Sequence, residues 1–302
     1  MTTITLGINN CFACKRWPEP EEWTRIIVDD FGLNHAQFSF DLLDPRTIER
    51  TRTLQAERIK EVAGKYNLDI HSAFTGLAAY SYNLLLHPNK GMRLDALDWY
   101  ENAIHLSCKL GAKGVGGHLG ALSRLDFMDE GRRDWLAFEL KESLHHLAQL
   151  ARSYGQKFLL WEPMPVNREK PSTVTDALRL YDFINEDSPL PILFCVDVGH
   201  TCAYDNSELD LDPYYWIKSL GRLSPVIHLQ QTDGKADHHW PFTQEFNKIG
   251  IIEAKKVIEA ISESDADVAL LVLEIIHPFE ADETKVLDEI KESVEYWQKA
   301  LS

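Results

Sequence analysis

Apolar residues along this chain follow two alternating rhythms. Short, nearly continuous apolar runs occur at 4–10 (ITLGINN), 36–42 (AQFSFDL), 69–75 (DIHSAFT), 114–120 (GVGGHLG), 158–164 (FLLWEPM), 192–198 (ILFCVDV), 226–232 (VIHLQQT) and 270–276 (LLVLEII). Runs of this length without strict alternation predict strands covered on both faces. Longer segments at 18–32, 46–67, 92–111, 135–155 and 284–302 repeat apolar residues at helical spacing. The first of these has prolines near its start and Gly32 at its end, the asymmetry expected of a helix. Strand-then-helix units of ~35 residues, repeated about eight times, predict an α/β fold of the (β/α)8 barrel type, because parallel strands need helical crossovers. A doubly wound open sheet is the runner-up, weakened by the lack of a GxGxxG stretch after the first strand. No low-complexity linker or break in composition divides residues 1–302, so one domain is expected. The segment 238–250 (HHWPFTQEFNKIG), after the seventh strand, is a long loop of the kind that often carries function.

In barrels of this kind chemistry sits where strands end and loops begin. The predicted strands carry polar groups there: Asn9 and Asn10, followed by Lys15 and Arg16, on the first; His71 on the third; His118 on the fourth; Glu162 on the fifth; Asp197 and His200 on the sixth; His228 on the seventh; Glu274 on the eighth. A carboxylate inside a run such as FLLWEPM or LLVLEII is costly to bury without a partner. One such glutamate reads equally well as a salt-bridged residue, and a lone His71 or His118 as a hydrogen-bonded core histidine. Glu162, Asp197, His228 and Glu274 fall on four consecutive strands near the same end, and a divalent cation would satisfy all four. Three carboxylates and one imidazole suit Mn²⁺, Mg²⁺ or Co²⁺ better than a structural zinc, which prefers thiolates.

Composition narrows the partners. The chain has 302 residues, 44% hydrophobic and 26% charged, with a net charge of −16. The acidic balance argues against nucleic acid. No apolar run approaches the ~20 residues of a membrane span, and the start MTTITLGINN lacks the features of a signal peptide, so a cytoplasmic protein is expected. Five scattered cysteines form no disulfide framework, and Cys11 and Cys14 read as small thiols packed near a strand end. Lys15 and Arg16 are either a solvated loop or a clamp for phosphate or carboxylate, with Trp17 and Trp240 as candidate pocket walls.

LWEP with Glu162, VDVGH with Asp197 and His200, IHLQQTDG with His228 and LEI with Glu274 resemble the xylose-isomerase-like TIM-barrel superfamily, in strand order over nearly the whole chain. VDxGH is the more specific element and the single glutamates the less specific. The resemblance implies one divalent metal ion, Mn²⁺ foremost, held by Glu162, Asp197, His228 and Glu274, with His200 on the substrate and Arg168 reaching one of its oxygens. His71, His118, His238 and His239 join Lys15, Arg16 and Arg168 as candidate substrate-binding residues. The endonuclease branch of the superfamily holds three zinc ions with many more histidines, and the acidic surface argues against it. NNCFACKRWPEPEEW (9–23) and DGKADHHWPF (233–242) are similar to a smaller group that acts on four-carbon ketoses and related sugar acids. That group implies either epimerisation or isomerisation of tetrulose phosphates, or decarboxylation of 3-oxo-isoapionate to a tetrulose.

Both reactions develop negative charge on a carbonyl oxygen as a neighbouring bond to carbon breaks, and both gain from a cation. An epimerase needs an acid/base pair, for which Glu162 and Glu274 are the candidates. A decarboxylase needs only a later proton donor, and His200, His238 or His239 could serve. No glycine-rich phosphate cradle is present, since the glycines of 114–120 lie in a strand, and this sets decarboxylation narrowly ahead. A barrel that binds a sugar without turning it over is the third reading. The expected partner is a small anionic or neutral sugar, and self-association stays open.

Overall fold

A computed structural model describes residues 2–302. Eight parallel strands close in chain order into one barrel: β1 Thr3–Asn9, β2 His35–Ser39, β3 Asp69–Phe74, β4 Gly114–Gly117, β5 Phe158–Trp161, β6 Ile192–Asp197, β7 Val226–Leu229 and β8 Val268–Leu273. The helices between them are α1 Pro20–Arg25, α2 Glu49–Lys65, the short α3 Leu77–Tyr80, α4 Lys90–Leu110, the short α5 Arg124–Met128, α6 Glu130–Ser153, α7 Val174–Asn185, α8 Pro213–Leu220, α9 Ala254–Glu263 and α10 Glu283–Leu301. The predicted barrel and every predicted strand are present, with strand ends trimmed by a few residues. Local chemistry explains several boundaries. Asn89, Thr173, Asp212 and Asp282 accept hydrogen bonds from the first turns of α4, α7, α8 and α10, and Gly111 closes α4 in the left-handed region at φ 84°. None of the described helices is long and apolar enough to cross a membrane.

The apolar core has two parts. The larger lies between the strands and the surrounding helices and includes Ile8, Phe38, Trp99, Leu147, Ile227 and Trp297. The smaller consists of Phe74, Leu160, Cys195, Val226, Leu270 and Val272. Side chains alternate along a strand, so residues two apart share a face. Glu162 lies two residues beyond Leu160, Asp197 two beyond Cys195, His228 two beyond Val226, and Glu274 two beyond Val272. The inward face of the barrel therefore changes within one step from an apolar plug to a polar layer at the C-terminal rim. His228 rests edge-on against Phe74 of the plug, with ring centroids 4.8 Å apart.

Candidate active site

The polar layer is compact. Nδ1 of His228 lies 3.0 Å from Oε1 of Glu162, 3.0 Å from Oε2 of Glu274 and 3.9 Å from Oδ2 of Asp197. One ligand-type atom from each of these four buried residues lies within 4.8 Å of all the others. Oδ1 of Asp197 accepts hydrogen bonds from the backbone of Gly199 at 2.6 Å and from Gln230 Nε2 at 3.1 Å, whereas Oδ2 is buried without a hydrogen-bond partner. A buried carboxylate oxygen left unpaired while its twin is satisfied is what a cation ligand requires. The donor set thus fits a hard divalent ion. Gly199 permits this packing, because a Cβ there would lie 2.2 Å from the Gln230 amide carbon.

Above this layer opens a cavity of about 270 Å³ lined by Thr75, Tyr80, His118, Glu162, Met164, His200 and neighbours from the loop after β7, including Asp237, His238 and His239. Nδ1 of His200 lies 3.1 Å from the carbonyl of Pro163, and its Nε2 lies 3.3 Å from Oδ2 of Asp237. Oδ1 of the same aspartate lies 3.1 Å from Nε2 of His239 and accepts from Gln230 Nε2 at 2.7 Å. His239 adopts φ 52°, held by its N–H to Gln230 and by Nδ1 against the Glu274 carbonyl at 2.9 Å. A strained non-glycine residue over-determined in this way is characteristic of functional sites. His118 is pinned by Thr75 Oγ1 at 3.1 Å, and its Nε2 is buried without a partner. The bare α-carbon of Gly117, at φ 142°, leaves the space that Thr75 fills.

Burial raises the carboxyl of Glu162, and His228 and His200 only partly counter it. Burial also acts on Glu274, but His228 and His239 outweigh it and hold that carboxyl below its usual range. Burial alone would lower His200, yet Asp197 and Asp237 raise it well above its ordinary value. His239 is raised to about 9, as its bond to Asp237 overcomes desolvation. His118 is lowered to about 4 by burial and is neutral.

Several sequence-predicted residues fall elsewhere. Lys15 is exposed, its Nζ 4.5 Å from the ring centre of Phe279, and Arg16 donates to the Pro278 carbonyl at 2.5 Å. Arg168 donates to the Leu122 carbonyl at 2.7 Å. Each cation follows a strand in sequence, but its side chain turns onto a neighbouring loop carbonyl or aromatic ring. None of the three lines the cavity, which among the described residues holds no lysine or arginine. His71 is at the opposite end of the barrel, stacked on Phe158 at 5.7 Å. Trp17 packs on Phe12, while Trp240 stacks behind His238 with centroids 3.9 Å apart. The cysteines are free, Cys14 buried and Cys11 half-buried, as the sequence suggested. Conversely, Asp237, Tyr80, Thr75 and Gln37 were not foreseen. Asp237 carried a signal, an acid directly before two histidines at the start of a long loop, but Gln37 reads in sequence as an ordinary strand residue.

A closed parallel barrel with a buried carboxylate–imidazole cluster beneath a small polar cavity defines a (β/α)8 protein whose rim fits a cation beside a small molecule. The chain belongs to the xylose isomerase-like TIM barrel family, whose model matches residues 27–300. It is 26% identical to the D-erythrulose 1-phosphate 3-epimerase of Brucella abortus (strain 2308) over 296 residues, 97% of this chain and 95% of the relative. A Rhodospirillum rubrum structure with a provisional xylose isomerase designation superimposes with a TM-score of 0.91 at 30% identity, covering 98% of this chain and 99% of its own. A D-psicose 3-epimerase structure from Clostridium cellulolyticum H10 shares the fold, with a TM-score of 0.72 at 14% identity and 99% of each chain covered.

Proposed function

We propose that this protein is a divalent-cation-dependent isomerase of small-sugar catabolism that epimerises a short ketose at the carbon next to its carbonyl. The observation that carries this reading is the placement of Glu162 and Glu274 on either side of His228, each 3.0 Å from the same ring nitrogen. Decarboxylation, which the sequence set narrowly ahead, needs no base in the bond-breaking step and would use these carboxylates as cation ligands only. The similarity to an epimerase over nearly the full chain supports the same choice.

Glu162, Asp197, His228 and Glu274 would hold the cation, with Mn²⁺ the first choice and Mg²⁺ or Co²⁺ alternatives. When bound, such an ion supplies Lewis-acid stabilisation of negative charge on a carbonyl oxygen. Glu162 and Glu274 would form the acid/base pair, one removing the proton from the carbon and the other returning a proton to it. His200, its Nδ1 on the Pro163 carbonyl, would present Nε2, which lies beside Asp237 without a formed hydrogen bond, as a donor to a substrate hydroxyl. His118 and His239 offer further contacts from opposite walls. With no lysine or arginine in the lining, the cavity suits an uncharged tetrulose better than its phosphate.

The test is turnover in D₂O with Mn²⁺, offering erythrulose, its 1-phosphate and a branched 3-oxo sugar acid in parallel. The reading expects solvent deuterium in recovered ketose, no CO₂, and preference for the unphosphorylated sugar. Release of CO₂ from the sugar acid without deuterium exchange in the ketoses would overturn it.

A further inference from the structure

We propose that Gln37 is a positioning residue that dictates which nitrogen of His228 faces the cation, an inference that rests on the cation site described above. The argument begins at a main-chain donor. The N–H of Cys11 donates to Oδ1 of Asn9 at 2.9 Å, and a backbone N–H cannot reverse its role. The other end of the Asn9 amide, Nδ2, must therefore be the end that meets Oε1 of Gln37 at 3.0 Å and Oε1 of Glu274 at 2.9 Å. This orients Gln37 with its oxygen inward and its Nε2 donating to Ser72 Oγ at 3.2 Å. The same Gln37 oxygen lies 2.7 Å from Nε2 of His228. An acceptor at that distance requires a proton on Nε2, so the nitrogen that can give up its proton and turn a lone pair to a cation is Nδ1, the atom between Glu162 and Glu274.

Fold geometry supports this role. The pairing of β2 with β3 is irregular between Ala36 and Gln37: Ala36 pairs with Ile70, while Gln37 pairs with Ser72. The extra residue on β3, His71, takes up the slip, and Gln37 comes to face Ser72. Irregularities of this kind re-aim side chains next to active sites. Asn9, Gln37, Ser72 and His228 are all fully buried, so water does not compete for these bonds. Asn9 also reaches Glu274, and the two amides, on β1 and β2, thereby brace two cation ligands from β7 and the end of β8.

The experiment measures Mn²⁺ dissociation constants by electron paramagnetic resonance for wild type, Gln37→Met and Gln37→Glu, with circular dichroism as a check on folding. Methionine fills the space without an acceptor, and the expected loss of affinity is roughly 10- to 100-fold, the range for partners of metal-bound histidines. Glutamate keeps an acceptor towards both His228 and Asn9, with the Ser72 hydroxyl free to turn and donate, so wild-type affinity should return. A folded Gln37→Met with wild-type affinity, or a Gln37→Glu as weak as Gln37→Met, overturns the inference. A second measurement needs no variant: long-range ¹H–¹⁵N correlation spectra of the Zn²⁺-loaded wild type should show His228 protonated at Nε2, and a proton at Nδ1 overturns the inference. A wild-type protein that binds no Mn²⁺ instead brings down the reading of the cation site itself.

Discussion

The two ends of the barrel use the same residue types for different purposes. At the N-terminal end, Asp69 meets the Lys113 ammonium at 2.7 Å and His35 at 3.3 Å, and all three groups are partly exposed to water. Every charge has an opposite charge beside it, and the cluster pins β2, β3 and the start of β4. At the C-terminal end, the ion-pair partners of three buried carboxylates are imidazoles, with no lysine or arginine among the described residues, and Oδ2 of Asp197 has no hydrogen-bond partner. The lesson is that histidines and acids alone do not mark a site. What marks it is burial combined with incomplete internal pairing, which leaves work for a ligand.

The comparison can be broken first at the C-terminal end. Replacing Glu274 by Gln keeps its shape but removes the charge and one member of the proposed acid/base pair, so kcat should fall by at least ~10²-fold. Wild-type turnover by this variant would remove Glu274 from the reaction. Treatment with a chelator should likewise abolish turnover, and added Mn²⁺ should restore it; activity that survives exhaustive chelation would contradict the cation site. A smaller effect is expected at Asp237, which ties His200 to His239. Asp237→Asn weakens both contacts, and kcat/KM should drop by roughly 10-fold, near the lower limit for loss of a supporting partner. Steady-state kinetics beside a thermal melt will separate this from general destabilisation.

The smallest effect belongs to the N-terminal end. Burial, followed by the charge of Lys113, lowers His71 from 6.5 to about 4, so it is neutral in the fold near neutrality. The unfolded chain then binds more protons than the folded one between those values. Its contribution to stability is present above the unfolded pKa and is lost as pH falls towards 4. His71→Gln should flatten this part of the stability–pH curve in denaturant titrations and leave turnover unchanged. A large loss of activity would place His71 in the site after all.

The barrel was legible because its signals are local and repeated: apolar runs, helical periods and caps such as Asp282 recur along the chain. The candidate ligands were legible for a related reason, since Glu162 and Glu274 interrupt runs that are otherwise wholly apolar. The cations were misread because position along the chain does not specify side-chain direction. Lys15 and Arg16 follow β1 closely yet settle on Phe279 and Pro278 of another loop. Asp237 depends on a loop conformation with a residue at positive φ, and Gln37 on a slip in strand pairing. Neither feature has a periodic imprint in sequence.

The apolar plug of Phe74, Leu160, Cys195, Val226, Leu270 and Val272 has a kinetic consequence. It closes the floor of the well, so a sugar arriving and a sugar leaving must pass through a single doorway. Under the proposed epimerisation, the two epimers would compete for that passage, and product inhibition should be purely competitive.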